Sequence, residues 1–190
     1  MMKQIKPALI LLAVFTLITG ILYPFLVTGL AQGLFPAQAN GSLITQNGQV
    51  VGSALIGQQF DQPQYFWGRL SDTASVPYNA SASGGSNYSV LNPALQTQVE
   101  ARLAALKAAD PQNTAPVPAD LVTASGSGLD PDISVAAANY QAARVARVRG
   151  LSLDKVNTLI VQNTRGRILG FLGEPTVNVL ELNLALDKLQ

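Results

Sequence analysis

Residues 8–30 read ALILLAVFTLITGILYPFLVTGL. This run has about the 20 apolar residues needed to cross the hydrocarbon core of a bilayer, and it contains no charge. Backbone polar groups inside hydrocarbon must pair within their own segment, so the run is expected to be helical. Pro24 has no N–H to donate and predicts a kink. Lys3 and Lys6 stand before the run, and the next charge is Asp61. Positive charge stays on the cytoplasmic side, which predicts an N-terminus inside and the rest of the chain outside. Ala37-Gln38-Ala39 resembles the small-residue site of a cleaved signal peptide. However, the apolar run is much longer than the roughly 7–15 residues of a signal core and ends well before that site. A retained anchor is the expectation, over 1–35, with one extracytoplasmic domain over 36–190.

Within the helix, Thr16, Gly20, Pro24 and Thr28 recur every four residues, and Gly29 to Gly33 is a GxxxG. Small and hydroxyl residues at this spacing allow a second helix to approach closely, so this face is the expected partner-helix contact.

Composition narrows the remainder. Charged residues make up 12% of the 190-residue chain, and those beyond the first helix nearly balance. No basic stripe of a nucleic-acid binder is present. The chain has no cysteine and no histidine. That removes disulfides, thiolate nucleophiles, zinc–thiolate sites and any triad built on His or Cys. No P-loop string occurs, so direct nucleotide binding through one is not expected. Ser152-Leu-Asp-Lys155 matches the short S-x-x-K string, but its companion strings are missing and Ser152 reads better as a helix cap. Asp130-Pro-Asp132 reads as a turn ahead of a capped helix, with a hard cation as the alternative. Arg144, Arg147 and Arg149 lie near a helix C-terminus, where cations favour the dipole; a solvated face is their default reading, with a protein contact as the alternative.

The outer segment predicts an α+β domain of short strands and several helices. Strands are expected at 42–45 and 49–56 around an Asn47-Gly48 hairpin turn, with Gly52 and Gly57 weakening the second. Residues 68–93 form a long Ser/Gly/Asn-rich loop, and the neighbouring Tyr65, Phe66, Trp67, Tyr78 and Tyr88 predict that it is packed. A helix capped by Asn92 is expected over 93–109, with Leu95, Val99, Leu103 and Leu106 inward. A short strand is expected at 121–123. Ser134 should cap a helix to about Arg149, with Val135, Tyr140 and Val145 or Val148 inward, and Ser152 another to about Asn163. Residues 178–189 suit both periods, and their Leu, Ala, Glu and Lys content favours helix.

Several strings together resemble the C chain of the bacterial Kdp potassium-transporting ATPase. They include Thr19-Gly-Ile-Leu-Tyr-Pro24, Gly52-Ser-Ala-Leu-Ile-Gly-Gln58, Tyr65-Phe-Trp-Gly-Arg69, Pro77-Tyr-Asn79 and Ser83-Gly-Gly-Ser-Asn87. Further along are Pro116 to Pro131, Arg149-Gly-Leu151, Leu172-Gly-Glu-Pro175 and Val177 to Asp187. Leu70, Asp132 and Thr176 depart from residues frequent in that family. The resemblance implies an accessory, non-catalytic subunit of an ATP-driven potassium importer in the bacterial inner membrane. Its implied partners are a channel-like subunit that carries the ion, a P-type ATPase subunit and a very small membrane subunit, with lipid around the helix. ATP and potassium belong to the complex, and no cofactor or metal is expected on this chain itself. The family's C chain is held to be needed for assembly and has been proposed to raise the ATP affinity of the ATPase subunit. The expected contact loop of the outer domain comprises Phe66, Arg69, Asn79, Ser83, Gly84, Gly85 and Asn87. The rival readings are an anchored or secreted enzyme using Ser152 and Lys155, and a stand-alone binding module.

Overall fold

A computed structural model describes residues 2–189. The chain forms two compact units that part between Leu43 and Ile44. The first is one long helix and a short appendix. Helix α1 (Met2–Leu17) continues through a π turn (Ile18–Leu22) into α2 (Tyr23–Leu34), followed by one turn of helix, α3 (Pro36–Ala39). Lys3–Leu34 is a helix long and apolar enough to cross a membrane, and its most apolar stretch has no buried residue.

The second unit is α+β. Strands β1 (Leu43–Gln46) and β2 (Gln49–Ser53) form the expected hairpin. Asn47 and Gly48 have φ of 52° and 79°, the left-handed pair that a type I′ turn requires. The second strand stops at Ser53, short of the expected 56. Gly57 lies beyond it, where a Cβ would come within 2.3 Å of the Tyr78 ring and 2.7 Å of the Asp130 carbonyl.

Helices α4 (Pro93–Ala109), α5 (Val135–Arg149) and α6 (Leu153–Gln162) begin at the expected caps. Asn92 accepts from the N–H of Ala94, Ser134 from Ala137 and Ser152 from Lys155. Gly150 closes α5 with φ 66°. The C-terminal segment is helix α7 (Val179–Asp187), capped by Asn178.

Three short strands escaped the sequence reading. β3 (Asp132–Ser134), β4 (Thr164–Arg165) and β5 (Thr176–Asn178) form an antiparallel sheet in the order β3-β5-β4, with Ile133 and Thr164 both opposite Val177. Two or three residues are too few to show a period of two. No strand forms at 121–123: Leu121 ends a 3-10 turn, Ala119–Leu121, and Val122 and Thr123 follow as a turn and a bend. Asp120 holds the 3-10 turn there by accepting from the N–H of Ser134 at 2.7 Å.

Ile133, Val145, Val156, Ile160, Val177, Leu182 and Leu186 meet in one core with Phe66, Trp67, Leu106 and Leu121. Each such side chain contributes on the order of 1.5–3 kcal/mol by leaving water. Of the residues expected inward, Leu103 is exposed, and of the pair Val145 or Val148 it is Val145 that is buried. On α4 the inward slot near Leu103 is taken by Arg102, and on α5 Gln141 and Arg144 are buried.

Candidate functional site

Two features stand out: one face of the membrane helix, and the Tyr65–Arg69 segment with the loop that follows it.

In the helix, the N–H of Tyr23 reaches back five residues to the carbonyl of Ile18. Pro24 explains the position of this π turn. It cannot donate to the carbonyl of Gly20, and widening the preceding turn is one way a helix absorbs the missing bond. The consequence is a change of phase. On a regular α-helix, residues four apart drift by about 40° per step, so three steps would separate Thr16 from Thr28 by about 120°. The extra residue of a π turn takes back about 100°. Thr16 and Thr28 are thereby brought to within about 20° of one another in azimuth. All of Thr16, Gly20, Pro24 and Thr28 are exposed. A Cβ on Gly20 would meet only the Thr16 methyl, at 4.0 Å, and one on Gly29 or Gly33 would meet nothing within 4 Å. Packing within the first unit does not require glycine at these three positions.

In the second unit, Tyr65-Phe-Trp-Gly-Arg69 is held as an extended strand would be, but by side chains. The Asn183 carboxamide accepts from the N–H of Phe66 at 2.9 Å and donates to its carbonyl at 3.0 Å. The Gln141 carboxamide does the same for Trp67, at 2.8 and 3.1 Å. A side-chain amide has both a donor and an acceptor, so it can replace a neighbouring peptide group. The guanidiniums of Arg102 and Arg144 each lie 4.9 Å from the Trp67 ring, and that of Arg149 lies 4.7 Å from Tyr65.

Arg144 is the largest fully buried side chain. Among the described residues its hydrogen bonds go to neutral oxygens: the carbonyls of Pro63 and Tyr65, and Gln141 Oε1. Burial lowers its pKa to about 10, so it stays charged at neutral pH. Arg147 pairs with Asp110 at 2.5 Å, and the nearly buried Arg149 with Asp187 at 2.6 Å. The solvated-face reading is therefore corrected for Arg144 and Arg149 and holds for Arg147, which is exposed; together they tie α5 to α4's end, α7 and the Tyr65 segment.

Arg69 continues the segment outward. It pairs with Asp130 at 3.0 Å and donates to the carbonyl of Ala124 at 3.2 Å. Asp130 also accepts from the N–H of Asp132, as the turn reading requires. The loop beyond is packed as expected. Tyr78 donates to the Arg69 carbonyl at 2.7 Å, Ser71 to Gly128 at 2.6 Å, and the Gly84 N–H to Ser127 at 2.9 Å. Burial pushes the Tyr78 hydroxyl up to about 12.

Of the expected contact residues, Phe66 is wholly buried, Arg69, Asn79, Gly84 and Gly85 are half-buried, and Ser83 and Asn87 are exposed. A cavity of about 90 Å³ is lined by Asp61, Arg69, Ser71, Tyr78 and Arg102. The buried pairs Gln141–Trp67 and Asn183–Phe66 could not be foreseen, because their partners lie 74 and 117 residues apart.

Comparison with known proteins decides the family. The model of the family described as "K+-transporting ATPase, c chain" (KdpC) matches residues 5–188. The chain belongs to this family. A KdpC subunit from Herpetosiphon aurantiacus is 64% identical over 185 residues, covering 97% of this chain and 96% of its own. One from Methylococcus capsulatus is 64% identical over 190 residues and the full length of both. One from Variovorax paradoxus is 62% identical over 187 residues, covering 98% and 97%. All three are named potassium-transporting ATPase KdpC subunits. The KdpC match runs through the membrane helix, the Tyr65–Arg69 segment and α7 alike.

Proposed function

We propose that this KdpC chain is a non-catalytic subunit that holds an ATP-driven potassium importer together. Its N-terminus lies in the cytoplasm, its first helix spans the inner membrane, and residues 36–190 form a domain on the outer side. The partners are a channel-like potassium-translocating subunit, a P-type ATPase subunit and a small membrane subunit. The face carrying Thr16, Gly20, Pro24 and Thr28 docks against a partner helix, and Arg69, Asn79, Ser83, Gly84, Gly85 and Asn87 meet a partner outside, with Phe66 supporting them from the core.

The observation that carries this reading is the helix. Its small residues are exposed, its glycines meet nothing closer than 4 Å that would require them, and the π turn gathers these residues toward one face. The second unit adds support. Its conspicuous arginines, amides and aromatics are spent on holding backbone and ring, and Ser152 caps α6. ATP is bound in the cytoplasm, so any effect of an outer domain on ATP affinity travels through the membrane part as a coupling free energy, typically about 1–3 kcal/mol.

The test is purification of the full chain from its native membranes in mild detergent. Recovery with two larger membrane proteins in fixed ratio is the expected result. Recovery of the chain alone would refute the proposal.

A further inference from the structure

Between β4 and β5 the chain makes a second hairpin that the function described so far does not use. Ile168 and Leu172 exchange both backbone hydrogen bonds, at 2.9 and 3.0 Å. The tip between them is Leu169-Gly170-Phe171. Ile168, Leu169, Phe171 and Leu172 are 70, 80, 69 and 49% exposed. Four large apolar side chains in five consecutive residues, none buried, are not the surface of a domain that stands alone.

The turn sharpens this. Leu169 and Gly170 have φ of 54° and 81°, nearly the pair that Asn47 and Gly48 adopt in the first hairpin. Asn tolerates that left-handed conformation, whereas a leucine there is strained. The domain gains no burial from the Leu169 side chain in return.

Charge selects the occupant. At the neck of the hairpin, Arg167 pairs with Glu174 at 2.8 Å, and Arg165 with Glu181 at 2.7 Å. These arginines are already neutralised, and the tip has no Trp or Tyr. Segments that lie in a membrane surface carry free Lys or Arg and interfacial aromatics. An apolar tip flanked by charges that are already paired is instead the anatomy of a protein–protein contact.

We infer that the 168–172 hairpin is a docking knob that inserts into an apolar cleft on the extracytoplasmic surface of a partner subunit. This rests on the proposed assembly with partner subunits and adds the place and chemistry of one contact. Leu169 and Phe171 are its centre.

The chain lacks cysteine, so L169C introduces a unique thiol on it. Its labelling by a membrane-impermeant maleimide is followed on the KdpC chain in three states: free chain in detergent, free chain in lipid nanodiscs, and intact complex. Labelling fast in both free states and at least tenfold slower in the complex supports the inference. Protection already in lipid without partners overturns it in favour of a bilayer contact. Equal rates in all three states overturn it while leaving the complex, and so the subunit reading, intact. Failure to recover any complex with the wild-type chain overturns both. A second variant, L169N, places the better turn former at the tip. It is expected to leave the unfolding midpoint of the free chain unchanged or higher and to reduce recovery of the complex several-fold. Wild-type recovery with L169N would overturn the inference.

Discussion

Asn183→Ala should remove much of the stability of the second unit although it touches no surface. Asn183 is buried, and its amide pairs with both the N–H and the carbonyl of Phe66, itself wholly buried. Alanine leaves both peptide groups unpaired where water does not reach. Two unpaired groups at about 1–2 kcal/mol each, with a cavity term of about 1 kcal/mol, put the loss at about 3–5 kcal/mol. A domain of this size has on the order of 5–15 kcal/mol in total. Trp67 is the chain's single tryptophan and follows Phe66 directly, so its fluorescence reports this segment without labelling. With a slope of about 2 kcal/mol per molar urea, the midpoint of the full-length chain in mild detergent should fall by about 2 M. Asn157→Ala, on the exposed side of α6, is the control and should stay within about 0.5 kcal/mol of wild type. A shift below 0.5 M for Asn183→Ala would refute the claim that this amide replaces a strand neighbour.

Further expectations follow from the same geometry. Gly20→Leu should reduce recovery of intact complex far more than membrane insertion, both read from membrane fractions, and equal recovery would contradict the docking face. Pro24→Ala restores an N–H able to bond the Gly20 carbonyl; the π turn should relax, swing Thr28 away from Thr16 by about 100°, and lower recovery in the same way. Gly57→Ala drives a Cβ into the Tyr78 ring and the Asp130 carbonyl, and should cost about 2–3 kcal/mol in urea unfolding. Tyr78 is raised by burial from 10.0 to about 12, so its stabilising share is full below pH 10 and lost as pH climbs to 12. The stability difference between wild type and Tyr78→Phe should be flat below pH 10 and then move against wild type by up to about 2–3 kcal/mol; the lowered Arg144 pKa is common to both proteins and cancels.

Local features of this chain were legible because their causes are local. The apolar run, the Asn47-Gly48 turn and the caps at Asn92, Ser134 and Ser152 each depend on residues within a few positions of one another. The π turn was half legible: Pro24 announces a disturbance, and only the backbone shows that it is taken up as a widened turn that aligns Thr16 with Thr28. Arg144 was misjudged, and Arg102 passed over, for a different reason. On a helix, arginine reads as a solvated residue, and what makes burial tolerable here is a set of carbonyls and an indole supplied by residues 63–68, far away in sequence. The three-stranded sheet was hidden by its brevity, and the exposed apolar hairpin at 168–172 lay in a segment to which the sequence reading assigned no element.

The central claim is that this KdpC chain serves a potassium-transporting ATPase by holding it together, without chemistry of its own. Potassium-stimulated ATP hydrolysis by the purified partner subunits, measured with and without the chain, tests this most directly. The account predicts no hydrolysis by the chain alone, little by the partners without it, and full potassium-stimulated activity when wild-type chain is restored, with Gly20→Leu failing to restore it. Hydrolysis by the chain alone, or full activity of the partners in its absence, would contradict the account.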